Sequence, residues 1–163
     1  MFLIWLFLFT VHAQAPEGSR YALVGDSSEN QTHCHEAITP IINEFNFAIR
    51  SIVRGRLETA LTPCNQYQIE QTPTHFKVQC DNKTPVIGNL DGTVSSYTNN
   101  EGKLFSVTTR HEGSATTLMF QGEAASQESS FSFSEDEIHV TKVINSPYFE
   151  TLVSCSFNYR RSP

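Results

Sequence analysis

The chain of 163 residues is short of positive charge: 11 Lys and Arg stand against 17 Asp and Glu, for a net charge of −6. A binder of nucleic acid or of an anionic membrane needs a basic footprint, so neither is expected as a partner. Long apolar runs are scarce too. Phe2 to Val11 is uncharged, with Thr10 its one polar residue, but crossing a hydrocarbon core takes about 20 apolar residues. No comparable second run follows, so no integral membrane segment is expected. Catalytic signatures are missing as well. There is no G-x-S-x-G, no glycine-rich phosphate loop, no C-x-x-C and no H-x-x-x-H, which removes the usual sequence marks of nucleophilic, phosphoryl-transfer and zinc chemistry. We read the chain as a non-enzyme, with no cofactor and no metal.

The features that are present point to export. The apolar start ends in Ala13-Gln14-Ala15, a small-residue cleavage pattern, so residues 1–15 are expected to be a signal peptide cut after Ala13 or Ala15. The 4 cysteines are even in number, which in an oxidising compartment predicts two disulfides with three possible connectivities. Asn30-Gln31-Thr32 and Asn82-Lys83-Thr84 are glycosylation sequons, making Asn30 and Asn82 the expected acceptors in a secreted, extracellular protein. His33-Cys34-His35 has metal-ligand side chains, but neighbouring residues rarely converge on one ion, and Cys34 is expected to be oxidised. Glu135-Asp136-Glu137 lacks the alternating ligands and Gly of a calcium loop. We take it as a charged turn that guards its flanking strands against edge pairing.

Residues 16–31 are polar, with Gly18 and Gly25, and read as a flexible leader to a single globular domain over 32–163. One helix follows. Thr39 suits its N-cap and Pro40 its first position. Ile41, Ile42, Phe45, Ile49, Ile52 and Val53 share a face at helical spacing, and Gly55 stops it. After Gly55 the period becomes two. Strands are predicted near Leu57–Leu61, Tyr67–Glu70, His75–Cys80, Thr93–Thr98, Leu104–Arg110, Ala115–Gln121, Ser130–Ser134, Glu137–Val143 and Phe149–Tyr159, with turn residues between them and a tight hairpin at Glu112-Gly113.

Strand parity bears on the cysteines. Cys80 shares a face with Phe76 and Val78, and Cys155 with Val153, Phe157 and Tyr159, so both point to the core. This predicts a Cys80–Cys155 bridge and leaves Cys34–Cys64 to pin the helix. The expected class is α+β: one N-terminal amphipathic helix packed on an antiparallel meander of about eight strands. The meander is able to curl into a barrel, calycin-like or lipid-transfer-like by architectural analogy alone. The 12 phenylalanines then supply the interior. One functional reading is a carrier of a small hydrophobic ligand (a fatty acid, sterol or other lipid), lined by Phe45, Ile49, Phe76, Phe105, Phe120 and Phe133. It predicts a cavity of at least about 300 Å³. The other is an extracellular interaction module, such as an inhibitor or an immune or reproductive modulator, whose core is filled and whose partner is a protein. Ligand identity, sheet closure and oligomeric state are not encoded in any motif.

Overall fold

Apolar and polar side chains that alternate along an extended segment give it one buried and one wet face. The computed structural model, which describes residues 18–25, 27–123 and 125–163 and only the backbone of 27–31, has ten such segments. They are β1 (Ser19–Leu23), β2 (Gln66–Gln71), β3 (His75–Cys80), β4 (Val86–Asn89), β5 (Ser95–Thr98), β6 (Leu104–Glu112), β7 (Ala115–Gln121), β8 (Ser126–Phe133), β9 (Glu137–Asn145) and β10 (Val153–Arg161). All neighbours pair antiparallel, in the order β4-β3-β2-β1-β10-β9-β8-β7-β6-β5. The sheet curls until β4 and β5 approach each other, giving a nearly closed barrel. The expected class therefore holds. The expected signal peptide, 1–15, lies outside the described residues.

Within the region expected as a flexible leader, Ser19–Leu23 forms β1 and residues 27–31 open a helix. Tyr21 of β1 pairs with Tyr67 of β2 on one side and Arg161 of β10 on the other, so this strand joins the β2–β4 part of the sheet to the β5–β10 part. Its partners are remote in sequence, and five residues alone carry too little alternation to show it. β4, with four residues, is likewise too short to show alternation.

The helical region is two helices, α1 (Ser27–Glu44) and α2 (Phe47–Leu61), both between β1 and β2. Pro40 lies inside α1 rather than at its start. Thr39 is no cap, since its hydroxyl donates to the His35 carbonyl one turn back. The true cap is Asn46, whose side chain accepts from Ala48 N–H and starts α2. This restart resets the helical phase. Ile41 and Ile42 stay buried, whereas Ile49 and Ile52 are 43% and 55% exposed, and Leu57 and Leu61 are buried instead. Leu57–Leu61, expected as a strand, is the last turn and a half of α2. α1 packs on β10, and α2 packs on α1.

That packing overturns the expected disulfides. The bridges are Cys34–Cys155 and Cys64–Cys80, each with Cα atoms 5.5 Å apart. α1 lies across β10, which carries Cys34 to Cys155. Cys64 enters β2 next to the end of β3, where Tyr67 faces Cys80, so the second bridge closes a local hairpin. Parity correctly turned Cys155 inward, but the expected Cys80–Cys155 and Cys34–Cys64 pairs do not form, because the path of α1 brings Cys34 to Cys155. At the expected hairpin, Glu112 pairs with Ala115, and Gly113 takes φ 60°, a left-handed conformation that suits Gly.

Candidate functional site

The inner face of the barrel is aromatic and filled. Tyr67 meets Phe131 at 5.5 Å and Tyr159 at 4.9 Å between ring centroids, and Phe76 meets Phe131 at 5.4 Å and Phe133 at 6.2 Å. Phe76, Ile69, Val107, Leu118, Val140 and Tyr159 have no accessible surface. Burial above all, with the Asp81 charge adding to it, pushes the Tyr67 and Tyr159 phenols well above their ordinary range, because an ionised phenolate there would lose its water.

The six proposed lining residues fall into three places. Phe76 and Phe133 belong to this interior. Phe105 and Phe120 form a half-buried cluster with Tyr97, at centroid distances of 6.3 and 6.0 Å, near the upper ends of β5, β6 and β7. Phe45 sits at the junction of the helices against Phe149, 6.5 Å away, and Ile49 faces outward on α2. The fold does not bring the six together.

Among the polar side chains on the inner face, three bear on its chemistry. Lys142 lies in β9 between Val140 and Ile144 and points inward with them. Its Nζ donates to the Thr62 carbonyl at the end of α2, 2.7 Å away, and lies 6.0 Å from the Phe157 ring. A cation at a helix C-terminus meets the negative end of the dipole. Desolvation nevertheless pushes the ammonium down to about 8, helped by Lys83 and opposed by Asp81. Gln71 in β2 and Thr109 in β6 are also buried, and Gln71 Oε1 and Thr109 Oγ1 have no hydrogen-bond partner. The sequence carries a signal for all three: each is a polar residue in phase with the apolar face of its strand.

The gap between β4 and β5 is closed by side chains rather than a ladder. Ser95 Oγ donates to the Ile87 carbonyl at 2.7 Å, and Asn89 Nδ2 donates to Thr93 Oγ1 at 3.0 Å. Above it, Thr84 N–H and Oγ1 both donate to Asn100 Oδ1, at 3.2 and 2.8 Å. β4 comes so close to the opposite wall that a Cβ at Gly88 would run into Thr109 Oγ1 and Leu118 Cδ2. Only glycine permits that approach.

The surface hollows among the described residues include two of note. A groove of about 560 Å³ between α1 and the end of α2 is lined, among the described residues, by Thr32, Cys34, His35, Ile38, Glu58, Leu61, Thr62 and Pro63. It contains none of the expected phenylalanines. The other, of about 240 Å³, lies on the outer face at Glu70, Thr72, His75, Lys77 and Ile87. His33-Cys34-His35 is on α1. Cys34 is in its disulfide, and His35 contacts Glu58 Oε1 at 3.1 Å and Arg54 at 3.0 Å. Cys64, Cys80 and Asp81 lie together, but the two sulfurs bond each other and offer no thiolate to an ion. Asn82 is exposed in the turn after β3, while Asn30 lies in α1 with its side chain outside the described residues.

Strand order and helix placement define a class: a ten-stranded, antiparallel, calycin-like barrel with two helices inserted between its first two strands. No family model matches the chain, and no curated protein matches its sequence. Solved structures do match in fold. The REP1-NXSQ fatty acid transporter aligns with TM-score 0.54 and 16% identity over 90% of this chain and 96% of its own. Human cRBP IV aligns with TM-score 0.54 and 16% identity over 91% and 100%. A secretary abundant heat soluble protein from Ramazzottius varieornatus aligns with TM-score 0.56 and 10% identity over 91% and 98%. At such identities the likeness is one of fold.

Proposed function

We propose that this protein is a secreted, non-enzymatic carrier of a small hydrophobic ligand. The observation that carries the reading is the helix-capped barrel with an aromatic inner face and a wall, β4, that meets β5 through the Ser95–Ile87 side-chain bond rather than a ladder. Such a wall parts without breaking a ladder, and the aromatic face behind it suits an apolar guest. A structure with the same fold is titled a fatty acid transporter, which supports the ligand class. The two disulfides support an oxidising compartment, and Asn82, exposed in its sequon, is the proposed glycan site. Because the interior is filled, ligand uptake requires β4 to move. The test is native mass spectrometry of protein purified from a secreting host, with titration of a naturally fluorescent polyene fatty acid. Co-purifying lipid or saturable one-to-one uptake is expected; a bare mass together with no uptake refutes the carrier.

One observation favours a second reading. The packed interior, together with exposed Phe47, Tyr148 and Leu152 (86%, 69% and 59% exposed), is what an extracellular protein-binding module presents. Phe45 against Phe149 places two of these, Phe47 and Tyr148, near the same end of the molecule. If the barrel takes up no ligand, this surface becomes the functional one.

A further inference from the structure

Resting on the carrier reading, we infer that the barrel holds a polar subsite beneath β4, made by Gln71 and Thr109, that receives the uncharged hydroxyl end of the ligand. Gln71, Phe76 and Gly88 form one row across β2, β3 and β4. Thr109 Oγ1 is the atom that a side chain at Gly88 would strike. One register row thus places Gln71 and, across Gly88, Thr109 at the same end of an aromatic interior, beside Phe76 and its neighbours Phe131 and Phe133, while the other two unpartnered buried atoms among the described residues, the Tyr159 hydroxyl and Arg161 Nε, lie by Tyr67 and Tyr21.

A buried polar atom without a partner destabilises a fold, and such groups are rare unless they serve something. Each of these two is more than nine-tenths buried. Their chemistry selects the guest. Gln71 Oε1 accepts a hydrogen bond, and a Thr hydroxyl both donates and accepts. A ligand hydroxyl suits either atom, as donor to Gln71 Oε1 or as acceptor from Thr109 Oγ1. A carboxylate is all acceptor and would face Gln71 Oε1 as a like dipole, without a cation to neutralise it. The buried ammonium of Lys142 is engaged by the Thr62 carbonyl at the helical end. Arg161 lies over the Tyr21 ring, in the row of Tyr67, four residues along β2 from Gln71. The apolar chain of the ligand would then run along Phe131 and Phe133, and its hydroxyl would fill the space that β4 vacates as it lifts from Thr109. The class of ligand is a long-chain alcohol, sterol or other neutral amphiphile with a free hydroxyl.

The experiment uses a polyene fatty acid and the alcohol made by reducing its carboxyl, so the chain is constant and only the head group changes. Both are titrated by fluorescence into the full-length secreted protein and into Gln71→Leu and Thr109→Val, with urea midpoints confirming that each variant is folded. The wild type should bind the alcohol about tenfold more tightly than the acid. Each variant should weaken the alcohol by about three- to tenfold, the worth of one hydrogen bond, and leave the acid unchanged. Equal or tighter binding of the acid, or variants that leave the alcohol unaffected, overturns the subsite while the carrier reading stands. The latter result would mean that the two side chains only hold water. Uptake of neither molecule removes the carrier reading and this subsite with it.

Discussion

Replacing Lys142 by Met tests whether its ammonium is truly held inside the barrel. The side chain keeps its length and loses its charge and its bond to Thr62. In the fold the ammonium sits at about 8, against 10.5 for a free lysine, with desolvation the main cause. The folded value is the depressed one, so between pH 8 and 10 the unfolded chain holds a proton that the folded chain has released. Unfolding then takes up protons, and stability rises with pH across that window. At about 1.4 kcal/mol per pH unit the ceiling is about 3 kcal/mol. Above pH 10 the sign reverses. Tyr67 and Tyr159 have raised values, so their contribution is complete below pH 10 and is lost as the unfolded phenols ionise. Urea midpoints measured every half unit from pH 7 to 11 should therefore rise to a maximum near pH 10 in the wild type. In Lys142→Met they should stay level to pH 10 and then fall. Parallel profiles for the two proteins between pH 8 and 10 would refute the burial of this charge.

Three further outcomes follow from other parts of the fold. Gly88→Val should lower stability by about 1–3 kcal/mol in thermal melts, because its side chain meets Thr109 and Leu118 in a filled interior. Cys34→Ser with Cys155→Ser should cost more than Cys64→Ser with Cys80→Ser, about 4–5 against about 3 kcal/mol on loop-closure grounds, since the bridges span 121 and 16 residues; a peptide map should show these two pairs and no Cys80–Cys155 fragment. Asn46→Ala should destabilise by about 1 kcal/mol in urea titrations, through loss of the bond to Ala48 N–H that starts α2.

What was legible in the chain was local. Alternation in β3 and β10 named their buried faces residue by residue, because side chains on a strand must alternate whatever the strand pairs with. The turn at Glu112-Gly113 was readable because only certain residues take its backbone angles. The inward polar residues Lys142, Gln71 and Thr109 lie in phase with an apolar face, but the expected site was built on phenylalanines and did not include them. The tertiary structure decided what depends on distant partners. β1 is a strand only because β2 and β10 lie on either side of it. The apolar spacing of Ile49 and Ile52 pointed to a continuous helix, which the cap at Asn46 broke and rotated. Cys155 was known to face inward, but the path of α1 across β10 chose Cys34 to meet it. Sequence period sets which way a side chain points; which side chain it meets is settled only when segments far apart along the chain are packed together.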